Sequence, residues 1–372
     1  MNRLKRLEEL GQSVWYDFIR RDLYRGPELK RLITEDGLKG MTSNPTIFQK
    51  AIAESTLYDE DIRREGKDGG RSPAAIFESL SVADVRAAAD AFHPVFDSTG
   101  GQDGFVSIEV GPHLAYDTAG SVNEARRLWK ACERPNVMVK IPGTAAGVPA
   151  IRQCLAEGIN INITLLFSVS RYREVMEAYL AALEQRAGAR QPIDTVRSVA
   201  SFFVSRVDTN VDKKLDAKTK SGDERARPLR GKLAIANARV AYEAFEEVFA
   251  SPRFAALKGR GAGLQRPLWA STSTKDPAYP DLYYVEALIA PNSVDTMPPE
   301  TFDAYRDHGD PKVRIHDDLA GAHEVFRALS ALGIDAETVA RELEEEGVKK
   351  FSDSFDALLK TIAEKEASMR VA

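Results

Sequence analysis

Five side chains able to carry or accept protons, Asp17, Glu109, Lys140, Asn162 and Thr164, sit inside short apolar runs of this 372-residue chain. Each run reads as a β-strand, because β-branched and aromatic residues surround the polar one and turn residues bound the segment. In "VMVKIP" (137–142) Lys140 follows Met138 on one face, while Val137, Val139 and Ile141 take the other. In "FVSIEV" (105–110) Phe105, Ser107 and Glu109 share a face opposite Val106, Ile108 and Val110. Asn162 and Thr164 oppose Ile161, Ile163 and Leu165 in "INITLLF" (161–167), and Asp17 follows Trp15 in "SVWYDF" (13–18). A charged group buried alone is costly, so each of these needs partners, and the nearest supply is the others.

The chemistry open to such a set is specific. Burial disfavours the charged form of an amine, and a free amine attacks carbonyls to give a Schiff base. A protonated imine is an electron sink, so a carbon–carbon bond beside it can break and leave a stabilised enamine. That reaction needs an acid/base for the departing hydroxyl, another for water, and donors for the substrate hydroxyls. Asp17 and Glu109 fit the first two roles, and Asn44 and Asn162 fit the last. No metal or cofactor is required. The five His residues are scattered without ligand spacing, and His113 in "GPH" reads as a loop residue. The competing reading is an ion-pair network that only fills the interior.

The elements that must position these residues alternate along the chain. Strands are expected at 13–18, 39–43, 105–110, 137–142, 161–167, 199–205, 267–272 and 283–289, the last from "YYVEALI". Amphipathic stretches such as "SVNEARRLWKACE" and "SRYREVMEAYLAALEQRAG" lie between them, with Ser121 and Ser170 expected as N-caps and Gly158 as a stop. Eight strands alternating with helices predict an α/β fold, a (β/α)8 TIM barrel, and no GxGxxG run argues for a dinucleotide. One domain is expected over 1–372, with a barrel core at about 13–290 and a helical extension at about 319–372. Extra helices fill roughly 45–97, after the second strand. The charged tract 211–228 is expected as a solvated loop and helix start. In a barrel one face of each strand packs on helices, so the polar residues should point inward, at the strands' C-terminal ends.

Bulk properties narrow the class further. Hydrophobic residues make up 43 % and charged ones 29 %, as in an ordinary soluble globular chain. The net charge of −5 is spread without a basic block, which argues against nucleic acid and anionic membrane as partners. Cys132 and Cys154 show no paired spacing, and the start lacks an apolar signal core, so a reducing cytoplasmic location is expected. The sequence is compatible with a homo-oligomer.

The motifs "MTSNPTIF" (41–48), "VSIEV" (106–110), "VMVKIPGT" (137–144), "GININITLLFS" (158–168) and "ASFFVSRVD" (200–208) together resemble a transaldolase. The resemblance runs from about residue 13 to 290, and it implies that Lys140 is the Schiff-base lysine. It implies transfer of a dihydroxyacetone unit between sugar phosphates in the non-oxidative pentose phosphate pathway. Asp17 then matches the acid/base for bond cleavage, and Glu109 with Thr164 matches the pair that positions a catalytic water. Asn44 and Asn162 match the amides for the substrate hydroxyls. Ser201 and Arg206 match phosphate-binding positions, with Phe203 between them lining the pocket. A second phosphate-binding Arg, frequent in the family after strand seven, is absent from "WASTSTKDP" (269–277). Lys275 is the nearest cation there, and a replacement role and a solvated loop Lys both stand. The rival readings are a fructose 6-phosphate aldolase-like lyase, against which Glu109 and Phe203 argue, and a catalytically silent sugar-phosphate-binding barrel.

Overall fold

A computed structural model describes residues 2–66 and 71–371. Eight parallel strands close into a barrel in chain order: β1 Gln12–Asp17, β2 Gly40–Thr42, β3 Phe105–Glu109 and β4 Val137–Pro142, then β5 Ile161–Leu166, β6 Ser198–Phe203, β7 Gln265–Ala270 and β8 Ser293–Met297. The expected (β/α)8 barrel is therefore the fold. β1 pairs with β8, Trp15 opposite Thr296, which leaves no open edge. Both faces of every strand are covered, so β4 and β5 are buried along their whole length. No helix among the described residues is long and apolar enough to cross a membrane.

One strand was expected in the wrong place. The segment 283–289 contains a helix, Tyr283–Ala287, and the eighth strand is Ser293–Met297, so the barrel closes beyond residue 290. Tyr284, Val285, Leu288 and Ile289 are all buried, at a spacing that one helical face satisfies as well as a strand does. The true β8, "SVDTM", carries a buried Ser293, Asp295 and Thr296 and so lacks the apolar pattern. The tract 211–228 is also more regular than a solvated loop. It continues the helix Ser205–Lys220 and a 3-10 turn, Glu224–Leu229. Val207, Val211 and Leu215 anchor one face of that helix, and the charges take the other.

Helix starts follow local chemistry. Asn44 caps Pro45–Ala53 by accepting from the Ile47 N–H at 3.0 Å, with Pro45 at the first helical position. The caps expected at Ser121 and Ser170 are instead Asp117 and Ser168. Ser121 lies inside its helix and bonds the Leu114 carbonyl at 2.9 Å. Gly158 does follow a helix end, with φ +90°, a conformation that favours glycine.

Below the mouth the barrel is plugged. The Trp15 indole donates to Asp103 at 2.7 Å, and Arg266 bonds Ser13 at 2.8 Å and Asp103 at 3.2 Å. Gly40, paired with Trp15 across β1 and β2, leaves room for the indole. Above the mouth runs the C-terminal helix Ala336–Val371, about 54 Å long at ~1.5 Å per residue. It is tied to the helix Pro45–Ala53 by Thr46 and Ser354 at 2.9 Å, and to Asp59 by Lys365 at 2.6 Å.

A Cβ at residue 40 would lie 2.6 Å from the Trp15 ring. Gly40→Ala is therefore expected to destabilise the fold by about 2 kcal/mol through overpacking. Urea unfolding checks this, and an unchanged midpoint would mean that the indole has room to shift.

Candidate active site

β4 delivers Lys140 to the interior, where its ammonium donates to the Ser43 carbonyl at 3.2 Å and lies 3.8 Å from Glu109 Oε2. The Lys140 and Glu109 side chains are only 6 % and 5 % exposed, so this contact is largely cut off from water. Glu109 stands beside Lys140 because β3 and β4 pair those two residues. Its two carboxylate oxygens have no hydrogen-bond partner among the described residues, and neither does the Thr164 hydroxyl. Burial pushes the Glu109 carboxyl up to about 7, against the pull of Lys140 and with added repulsion from Asp17. At 3.8 Å without a hydrogen bond, the ion pair is too weak to offset desolvation.

Asp17, at the end of β1, accepts from the Thr42 hydroxyl at 2.6 Å, and Thr42 meets Thr296 of β8 at 2.7 Å. Burial raises the Asp17 carboxyl above its ordinary range, while Lys140, Thr42 and Arg206 moderate the rise. Asn162 donates to Ser107 at 3.0 Å and accepts from Ser201 at 2.6 Å, so its amide is locked across β3, β5 and β6. Asn44 uses its oxygen for the helix cap and lines the mouth. The Arg206 guanidinium lies over the rings of Phe203 and Phe351, 5.2 and 5.8 Å from their centres. Burial lowers the Arg206 value, with Asp17 and Glu346 acting against the fall.

These groups converge on a cavity of about 160 Å³. Asp17, Asn44, Lys140, Ser201, Phe203, Arg206 and Lys275 all line it, together with Thr42, Thr296 and Phe351. Lys275 bonds Ser273 at 2.6 Å on its rim. Glu109 faces a neighbouring cavity of about 390 Å³ that also touches Ser43, Asn44 and His113. Asn162 and Thr164 are fully buried and line neither cavity. His113 is exposed and bonds Asp356 of the C-terminal helix at 2.8 Å.

Several contributors escape sequence reasoning. Thr42 had a signal, since it shares a strand face with Gly40 inside a motif already singled out. Thr296 was hidden with β8. Phe351 comes from a helix some 150 residues beyond Arg206, and no local pattern links them.

A closed parallel barrel whose C-terminal mouth gathers a buried lysine, two carboxylates and a stacked arginine defines a class of (β/α)8 protein with an interior charged site. Within that class, the family model described as Transaldolase/Fructose-6-phosphate aldolase matches residues 14–362, and the chain belongs to that family. It is 49 % identical over 369 residues to a protein of Frankia alni named transaldolase, covering 98 % of this chain and 97 % of that one. A transaldolase of Saccharopolyspora erythraea is 49 % identical over 362 residues, 97 % of each chain. Transaldolase 2 of a Nostoc species is 44 % identical over 370 residues, again 97 % of each.

Raising the Glu109 carboxyl to about 7 has a cost that can be measured. Between the ordinary carboxylate range and about 7 the folded chain holds a proton that the unfolded chain has released, so this group's stabilising share is lost as pH rises through that window. Glu109→Gln, which cannot ionise, should be more stable than the parent by about 2 kcal/mol at pH 8. The difference should close toward pH 4. Denaturant unfolding at both pH values tests this, and a variant less stable at pH 8 would mean that the ionised carboxylate helps hold the fold.

Proposed function

We propose that the chain is a transaldolase in which Lys140 forms a Schiff base with the C2 carbonyl of a ketose phosphate, either sedoheptulose 7-phosphate or fructose 6-phosphate. The observation that carries this reading is the Lys140 amine in a water-poor barrel mouth, between Glu109 and the recessed Asp17. Attack by the neutral amine gives a carbinolamine, which loses water to become an imine. Glu109 and Thr164 hold that water and move its proton, a role supported by their unpartnered oxygens at the strand ends. Asp17 takes the C4 hydroxyl proton as the C3–C4 bond breaks. An aldose phosphate departs, and the bonding electrons remain on the lysine-bound three-carbon enamine.

An incoming glyceraldehyde 3-phosphate or erythrose 4-phosphate then reverses these steps with Asp17 as the acid. Asn44 orients the dihydroxyacetone hydroxyls from the cavity wall, with Asn162 acting from behind that wall through its bond to Ser201. Ser201 and Arg206 hold the phosphate, Phe203 stacks the guanidinium in place, and Lys275 serves as a point-charge contact. The transferase reading is preferred to the lyase because the relatives above carry that name, and because position 109 is Glu and 203 is Phe. The whole chain works as one unit in this reading, since the barrel and the C-terminal helix share the mouth. Two buried, unpaired thiols support the cytoplasm as its compartment.

Borohydride reduction after incubation with fructose 6-phosphate should leave a three-carbon adduct on the peptide carrying Lys140, read by mass spectrometry. Lys140→Ala should give none, with transfer abolished. An adduct on another lysine would overturn the assignment. Asp17→Asn should still form the imine but not break the bond, so the trapped mass should be that of the intact ketose phosphate. A three-carbon adduct on that variant would remove Asp17 from the cleavage step. Release of glyceraldehyde 3-phosphate should be slow until erythrose 4-phosphate is added, and brisk acceptor-free cleavage would favour the lyase.

A further inference from the structure

Asp17 ends β1, and the two strands that flank β1 each send a threonine to the inner face beside it. β2 pairs Thr42 with Asp17, and β8 pairs Thr296 with Trp15, two residues before Asp17 on the same face. β2 and β8 do not pair with each other, yet the two hydroxyls meet at 2.7 Å across β1. Both threonines are buried, and both line the mouth cavity. Thr42 is the one side chain among the described residues that Thr296 bonds.

The Thr42 hydroxyl has a single proton and two neighbours, Asp17 Oδ1 at 2.6 Å and Thr296 Oγ1 at 2.7 Å. An ionised carboxylate only accepts, and a charge-assisted bond is stronger than one between two hydroxyls. Thr42 therefore donates to Asp17, and the remaining contact requires Thr296 to donate to Thr42. Three side chains from β8, β2 and β1 thus form one directed chain that ends on Oδ1. Lys140 and Arg206 act on Asp17 through charge alone, without a hydrogen bond, so this chain is what sets the angle of the carboxylate. Oδ2 accepts no hydrogen bond among the described residues.

We infer that Thr296 is a positioning residue for bond cleavage: acting through Thr42, it aims one hydroxyl proton at Asp17 Oδ1 and so turns Oδ2 to the substrate. The inference rests on the reading of Asp17 as the base of that step. The C4 hydroxyl proton passes to Oδ2, the C3–C4 bond breaks, and its electrons enter the lysine-bound iminium to give the enamine. Thr296 exchanges nothing; it fixes the geometry in which Asp17 receives the proton.

Borohydride added early to enzyme and fructose 6-phosphate traps two adducts on Lys140, the intact ketose phosphate before cleavage and the three-carbon unit after it. Thr296→Val keeps the shape of the side chain and removes its hydroxyl. It should raise the ratio of intact to three-carbon adduct about fivefold, the effect of one lost hydrogen bond on the cleavage step alone. Total adduct should stay at the parent level, because imine formation does not use Asp17. Thr296→Ala should behave in the same way, and Thr296→Ser, which keeps the donor, should restore most of the parent ratio. Asp17→Asn runs in parallel. If it traps only the intact ketose phosphate while both Thr296→Val and Thr296→Ala keep the parent ratio, Asp17 is the base and Thr296 has no part in the step. If Asp17→Asn still gives the three-carbon adduct at the parent level, both readings fail. A fall in total adduct at an unchanged ratio would make Thr296 a purely structural residue and overturn the inference.

Discussion

Everything in the mouth depends on how the Lys140 ammonium and its carboxylate neighbour are kept from water. An ion pair at 3.8 Å with both side chains about 5 % exposed is neither a strong salt bridge nor a solvated pair. The carboxyl of Glu109 rises accordingly, and the lysine keeps one contact to a backbone carbonyl. A fold optimised only for stability would fill that space with apolar side chains or satisfy both groups fully. Here the oxygens of Glu109 and Thr164 stay without partners among the described residues, above a plug whose own polar groups are bonded. An amine held by a tight ion pair would not attack a carbonyl, so this loose pairing suits the proposed Schiff-base role of Lys140.

The second constraint is the C-terminal helix. A barrel mouth of this kind is built from loops after the strands, yet here a 36-residue helix also reaches across it and contributes Phe351. Gly347 permits this by taking up no space where the Leu165 side chain stands. Leu165 at positive φ is strained for a bulky residue, and its packing against the helix offsets that strain. The position of Arg206 is therefore shared between two distant parts of the chain. β6 and the start of the following helix supply its backbone, and aromatic rings on either side set its angle.

Much of this was legible beforehand. β4 was read at its observed bounds, because a β-branched run ending at Pro-Gly has few alternatives, and the inward face of β3 followed from strict alternation. β8 was misread because "YYVEALI" is richer in strand-favouring residues than "SVDTM". Only the closing of the barrel on β1 tells which one completes the sheet. Ser121 and Ser170 were plausible caps, but each lies inside a helix that begins a few residues earlier, at Asp117 and Ser168. Helix ends are set by which side chain reaches the free N–H groups, and composition alone does not say which.

The sequence by itself determined the barrel, the strands that carry the reactive groups and the face of each strand on which those groups lie. Those properties are local, since periodicity of two and turn residues act within a few positions. Tertiary structure alone decided which groups touch. The Thr42–Asp17 and Ser201–Asn162 bonds join residues 25 and 39 apart, and the Arg206 guanidinium packs on rings from β6 and from the C-terminal helix. Such contacts depend on strand order, register and the seating of a remote helix. None of these is written in the spacing of any one segment.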